Sequence, residues 1–185
     1  MHSLPEIWNA QTQQKNYRSL LNAMSRPGTC FPVWGCNSQS SVIAVLAALL
    51  DNAVTLADPD YLISDENIKL LQVRTALLHE ADFVVALGET SPATHITPKL
   101  GTLTSPQDSA TVILTVQNLS AGECELIVNG PGVNGEKKAM ISGLDALWLQ
   151  LRQEWNRDFP LGCDFILVSQ QQVLALPRTS MAEFA

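Results

Sequence analysis

The sequence predicts an α/β domain, and three observations carry that prediction. Short β-branched runs, at Val54 to Ala57, Asp82 to Leu87 and Ala110 to Val116, alternate with segments of helical period. The last third, from Glu123 to Ser180, reads as strand, helix and hairpin. A chain of 185 residues buries one full core and is short for two domains with a linker, so one domain over residues 1–185 is expected.

From Ile7 to Met24 the spacing predicts a helix, with Tyr17, Leu20, Leu21 and Met24 as its apolar stripe and Pro27-Gly28 as its stop. Lys15, Arg18 and Arg26, with Glu6 the only acid, make this arm basic; it is read as a solvated face or, alternatively, as an anion or partner contact. Thr29 to Trp34 reads as a short strand that Pro32 confines to an edge. Ser40 or Ser41 then caps Val42 to Leu50, which is apolar all round and therefore a buried helix or one at a subunit interface. After the strand at Val54 to Ala57, Asp58-Pro59-Asp60 turns the chain, with a metal site as the alternative use of its two carboxylates. Ser64 or Asp65 starts a helix carrying Ile68, Leu71, Thr75 and Leu78, and Asp82 to Leu87 follows as a buried strand. Ser91 to Thr104 is polar and turn-rich, with a short helix at most, before the strand at Ala110 to Val116.

Cys124 to Val128 is the next strand, ended by Gly130-Pro131-Gly132, and Lys137 and Lys138 are expected in a basic turn. Ser142 is the expected N-cap of a helix bearing Leu144, Leu147, Trp148, Leu151 and Trp155, broken at Phe159-Pro160-Leu161-Gly162. Asp164 to Val168 and Val173 to Leu176 are two strands joined by Ser169-Gln170-Gln171-Gln172, and Pro177-Arg178-Thr179 is expected to end regular structure.

A net charge of −7 argues against a sequence-independent grip on nucleic acid and points to proteins or small molecules as partners. Cys30, Cys36, Cys124 and Cys163 form no CxxC pair, and Cys124 and Cys163 are read as buried thiols. No signal peptide or membrane span is read, so a soluble cytoplasmic protein is expected. Gly130 to Gly135 matches GxGxxG, but the following helix starts late, Pro131 removes an N–H, and no acid follows Val168 to hold a ribose hydroxyl. The loop is therefore read as structural, with dinucleotide binding as the alternative. His2, His79 and His95 have no partners at zinc-ligand spacing, and His79 is placed at a helix C-terminus. Arg178 suits a bidentate carboxylate or phosphate contact or, alternatively, a structural ion pair. No catalytic motif selects a nucleophile, so no catalytic, cofactor-binding or metal residue is assigned.

Five stretches carry a resemblance to a known family: Tyr17 to Gly28, Ala110 to Leu114, Gly130-Pro131-Gly132, Phe159-Pro160-Leu161-Gly162 and Leu174 to Thr179. On them the chain resembles the PhnH family of the bacterial carbon–phosphorus lyase system. The resemblance implies a single three-layer domain with a mixed β-sheet flanked by helices, similar to the pyridoxal-phosphate-dependent transferase fold but without the cofactor. It also implies a homodimer in isolation, and a core assembly with PhnG, PhnI and PhnJ subunits. In that system PhnG, PhnH, PhnI and PhnL together move the ribose triphosphate of ATP onto a phosphonate and release adenine, and PhnH is a non-catalytic subunit. The competing reading is a stand-alone small-molecule enzyme with its site in a cleft between subunits. Neither pyridoxal phosphate nor a nicotinamide cofactor is expected to bind.

Overall fold

The computed structural model describes residues 6–36, 41–93 and 97–185, so His2, Ser40 and His95 lie outside the described residues. Glu6–Trp8 forms a 3-10 turn, and helix α1 then spans Ala10–Ser25. It starts later than Ile7 because Asn9 takes the N-cap, its side chain accepting from the Gln11 N–H at 2.9 Å. The buried face consists of Thr12, Asn16, Ser19, Leu20 and Ala23. This corrects the expected stripe, since Tyr17 and Leu21 are 48% and 53% exposed. Asn16 sets the rotation: its amide accepts from the Trp34 N–H at 2.7 Å and donates to the Trp34 carbonyl at 3.1 Å. An amide satisfied in this way is stable in the interior; of the expected stripe, Leu20 is buried and Met24 packs against the core, while Tyr17 and Leu21 are left outside.

Helix α2, Ser41–Leu49, packs against α1 and buries Ser41, Ile43, Ala44, Val45 and Leu46, the Ser41 hydroxyl donating to the Gln170 carbonyl. Helix α3, Asp65–Leu71, is capped by the Ser64 hydroxyl, which accepts from the Asn67 N–H at 3.3 Å. It ends before the expected Thr75 and Leu78 because Gln72 turns left-handed at φ 56°. Beyond it, Arg74–Thr75 pairs as a strand; Val73 and Thr75 are β-branched, and a strand accommodates them better than a helix does. His79 accordingly lies in a loop, with Nε2 3.8 Å from the Glu80 carboxylate, rather than at a helix end.

Among the described residues ten strands follow in chain order: β1 Phe31–Pro32, β2 Thr55–Ala57, β3 Arg74–Thr75, β4 Phe83–Leu87, β5 Thr111–Thr115, β6 Cys124–Asn129, β7 Lys137–Ile141, β8 Asp164–Val168, β9 Gln172–Leu176 and β10 Met181–Phe184. Seven form a mixed sheet in the order β1-β9-β8-β5-β4-β2-β3. Strands β8, β5, β4, β2 and β3 run parallel, and β9 returns antiparallel on β8 as the expected hairpin. The edge position of β1 agrees with Pro32, which has no N–H to donate.

Alternation along the central strands divides the interior in two. Val84, Ala86, Val112, Leu114, Phe165, Leu167, Leu174 and Leu176 face one core. Val85, Ile113, Ile166, Val168, Val173 and Ala175 face the other, together with residues of α1, α2 and α3. The first core is closed by helix α4, Ala146–Trp155, and by a second sheet of three strands in the order β10-β6-β7. Trp148 and Trp155 pack on Phe165 at centroid distances of 6.3 and 6.2 Å, in edge and tilted geometries. One flank of the mixed sheet is therefore part helix and part sheet.

Three expectations for this region are corrected. Lys137 and Lys138 lie in β7, where alternate residues Ala139 and Ile141 are buried against the core. Regular structure resumes after Thr179 as β10, antiparallel to β6. The cap of α4 is Asp145, accepting from the Leu147 N–H at 2.8 Å, while Ser142 pairs with Asn118.

Candidate functional site

The strand order reverses between β2 and β4: the chain goes from β2 outward to β3, returns to β4 on the other side of β2, and continues to β5 and β8. In parallel sheets, the carboxyl ends at such a reversal are where ligands bind. A cavity of about 210 Å³ lies there, between the sheet, α4 and the segment after β4. Val84 and Ala86 form its floor, Trp148 and Trp155 one wall, and Asp60 and Ser91 its polar margin.

Local hydrogen bonds shape this margin. Asp58 accepts from the N–H groups of Leu62 and Ile63 at 2.9 and 2.8 Å, and Asp60 Oδ2 accepts from the Leu87 N–H at 2.7 Å. These two carboxylates hold the turn, and among the described residues no group of three potential metal ligands assembles. Ser91 donates to Asp145 at 2.6 Å, which, with the Leu147 N–H, holds the Asp145 carboxyl below the usual range. At this end of the sheet, residues 58–64, 88–93, 116–123, 142–145 and 169–171 carry Asp58, Asp60, Glu89, Glu123 and Asp145 and no Lys, Arg or His, while Lys99, further along the connection after β4, pairs with Asp82 at the opposite end of that strand.

The cations named from the sequence lie elsewhere. Arg18 and Arg26 are exposed, on α1 and at its C-cap, and Lys15 stands 5.5 Å from the Trp34 ring. Arg178 is engaged within the chain: its guanidinium meets Asp164 at 2.9 Å and donates to the Pro106 carbonyl at 2.8 Å.

Gly130-Pro131-Gly132 opens the connection between antiparallel β6 and β7, so the GxGxxG stretch leads into a strand and offers no helix N-terminus. A Cβ on Gly132 would stand 2.5 Å from the Ser25 carbonyl oxygen, and one on Gly130 would stand 3.0 Å from Ser180 Cα. The loop thus rests against the end of α1 and the turn before β10.

Arg152 was missed as a structural centre, although it falls in the apolar stripe of α4 beside Trp148, Leu151 and Trp155. It is 1% exposed, and its Nη2 donates to the carbonyls of Leu176, Pro177 and Ser180 and to the Ser180 hydroxyl at 2.6 to 3.2 Å. Burial lowers its pKa to about 10, so it stays charged at neutral pH. Cys163 is also buried, which pushes its thiol up to about 12 and makes it inert, whereas Cys124 is exposed, contrary to expectation.

At the opposite end of β4, Asp82 accepts from Lys99, from the Thr55 hydroxyl at 2.7 Å and from the Thr55 N–H at 2.9 Å. Burial raises the carboxyl pKa, but these partners outweigh it and the net shift is downward. A lowered folded-state pKa stabilises above the unfolded value near 4 and is lost as pH falls through the folded value. With both side chains about one-third exposed, the Lys99 pair contributes on the order of 0.5–1 kcal/mol. The stability difference between wild type and Asp82→Asn, measured by urea unfolding, is expected to be larger at pH 7 than at pH 3; a difference independent of pH would refute the assignment.

The sequence model of the bacterial phosphonate metabolism protein PhnH matches residues 7–183. The putative C-P lyase subunit protein HtxG of Stutzerimonas stutzeri is 40% identical over 174 residues, covering 94% of this chain and 87% of that protein. The alpha-D-ribose 1-methylphosphonate 5-triphosphate synthase subunit PhnH of Rhizobium meliloti (strain 1021) is 36% identical over 84 residues, covering 45% of this chain and 42% of that one. With a family match that runs from before α1 into β10, and a relative aligned over most of its length, this chain belongs to the PhnH family of bacterial phosphonate metabolism proteins.

Proposed function

We propose that the chain is a non-catalytic subunit of the carbon–phosphorus lyase core complex, required with its partner subunits to transfer the ribose triphosphate of ATP to an alkylphosphonate. Its relatives' names support the system. The observation that carries the subunit role is the acidic carboxyl end of the sheet. A triphosphate needs clustered cations or a metal ion, and residues 58–64, 88–93, 116–123, 142–145 and 169–171 at that end carry five acids, Asp58, Asp60, Glu89, Glu123 and Asp145, and no cation. PhnG, PhnI and PhnJ are the proposed partners, a homodimer the proposed state in isolation, and the cytoplasm the proposed location. The transferase-like frame without cofactor is carried forward on the parallel strands and their helices.

The outward face of α1 is the proposed partner contact. Tyr17 and Leu21 are about half exposed there, and Arg18 and Arg26 supply positive charge on a chain of net charge −7. Arg178 is proposed to act indirectly, fixing the turn before β10 through Asp164.

The test is reconstitution with PhnG, PhnI and PhnL, ATP and methylphosphonate, followed by adenine release. Release is expected to need this chain and to be absent with this chain alone. Tyr17→Glu with Leu21→Glu is expected to weaken co-purification with the partners while the thermal midpoint stays near wild type, because neither side chain is in the core. Undiminished release without the chain would overturn the role, and unchanged co-purification would overturn the contact.

A further inference from the structure

We propose that the cavity at the β2/β4 reversal binds a small organic amine: an apolar body against Trp148 and Trp155, with its ammonium group at Asp60. The inference concerns a ligand of this chain alone and stands apart from the subunit reading.

Shape comes first. At about 210 Å³ the cavity suits a molecule the size of a single substituted ring, and its walls are mainly apolar: Leu78, Val84, Ala86, Val112, Trp148 and Trp155. Trp148 is fixed by its indole N–H, which donates to the Thr90 carbonyl at 2.9 Å, and Trp155 by its packing on Phe165. Two anchored indoles make a preorganised apolar wall, and an aromatic wall favours a cation over an anion of equal size.

Charge decides the ligand class. Among the described residues, Asp60 is the one ionisable side chain lining the cavity. Its Oδ2 is held by the Leu87 N–H, which orients the carboxylate and leaves Oδ1 to accept from a ligand. The neighbouring acids Asp58, Glu89 and Asp145 carry the same sign, so a carboxylate or phosphate ligand would meet repulsion from each of them as well as from Asp60. A neutral ligand would leave the Asp60 charge unmatched.

Benzylamine, benzyl alcohol and benzoate have nearly the same size and differ in charge, so they are suitable probes for titration calorimetry on the full chain. Benzylamine is expected to bind saturably and about tenfold more tightly than benzyl alcohol, as a charge-assisted hydrogen bond provides. Benzoate is expected not to bind. Asp60→Asn retains an oxygen acceptor for the Leu87 N–H and is expected to bring amine and alcohol to equal affinity. Leu78→Trp, at a partly buried lining position, is expected to fill the cavity and abolish binding of both. Circular dichroism and thermal midpoints near wild type establish that each variant is folded. Absence of saturable benzylamine binding, benzoate binding of equal strength, or an amine preference that survives Asp60→Asn overturns the proposal.

Discussion

Arg152→Met is expected to destabilise the fold by about 3 kcal/mol, within the range found when one partner of a buried charged network is removed. The guanidinium gathers four acceptors from the turn between β9 and β10: the carbonyls of Leu176, Pro177 and Ser180 and the Ser180 hydroxyl. Methionine fills much of the same volume and relieves the desolvation of a charge, but it donates nothing. Nη2 shares two N–H bonds among these four, and the Pro177 carbonyl keeps the Ser180 N–H and hydroxyl as donors; a buried acceptor left without a donor costs about 1–3 kcal/mol, and the relieved desolvation offsets only part of that loss. Arg152→Lys is expected to recover part of the loss, because one ammonium retains the charge without the guanidinium's reach. Urea midpoints give the ranking, and amide exchange in β10 gives the location. A loss below about 1 kcal/mol would mean that the turn holds itself without Arg152.

Gly132→Ala is expected to cost about 2–4 kcal/mol, since it combines a left-handed backbone with a close approach to another segment. At φ 85°, a methyl group at Gly132 would stand 2.5 Å from the Ser25 carbonyl oxygen, well inside van der Waals contact. Gly135 in the same connection is the control: its φ is 74°, and nothing lies within 4 Å of its missing Cβ. Gly135→Ala should therefore cost only the backbone preference, about 1 kcal/mol. The difference between the two variants isolates the contact between the loop and the end of α1. Equal losses would show that the loop moves away freely.

The central strands were legible because hydrophobic runs such as Phe83 to Leu87 and Thr111 to Thr115 are buried on both faces, a pattern that needs no knowledge of neighbours. Strands β7 and β10 were not, since Lys137 to Ile141 and Met181 to Phe184 each bury a single face and gain strand character only by pairing with β6. On α1, Tyr17 and Leu21 look like core residues, and only the two hydrogen bonds of Asn16 to Trp34 turn a polar face inward. The glycine loop was recognised as structural, although what it rests on, Ser25 and Ser180, is remote in sequence. Arg152 and the cavity both depend on elements meeting from different parts of the chain. The acidic residues of the carboxyl-end loops were all visible, but their common location became apparent only from the strand order.

The division of the interior by the seven-stranded sheet has a consequence for how substitutions combine. Ile113 and Leu114 are covalent neighbours, yet one belongs to the compartment shared with α1 and α2 and the other to that shared with α4. Energetic coupling should therefore follow parity along a strand rather than distance along the chain. Truncating Leu114 perturbs the packing of Leu167 across the sheet, which lies on its own side, more than that of Ile113 beside it. The two halves of the molecule can thus accumulate change largely independently, one adjusting the cavity wall and the other adjusting the surface that α1 presents.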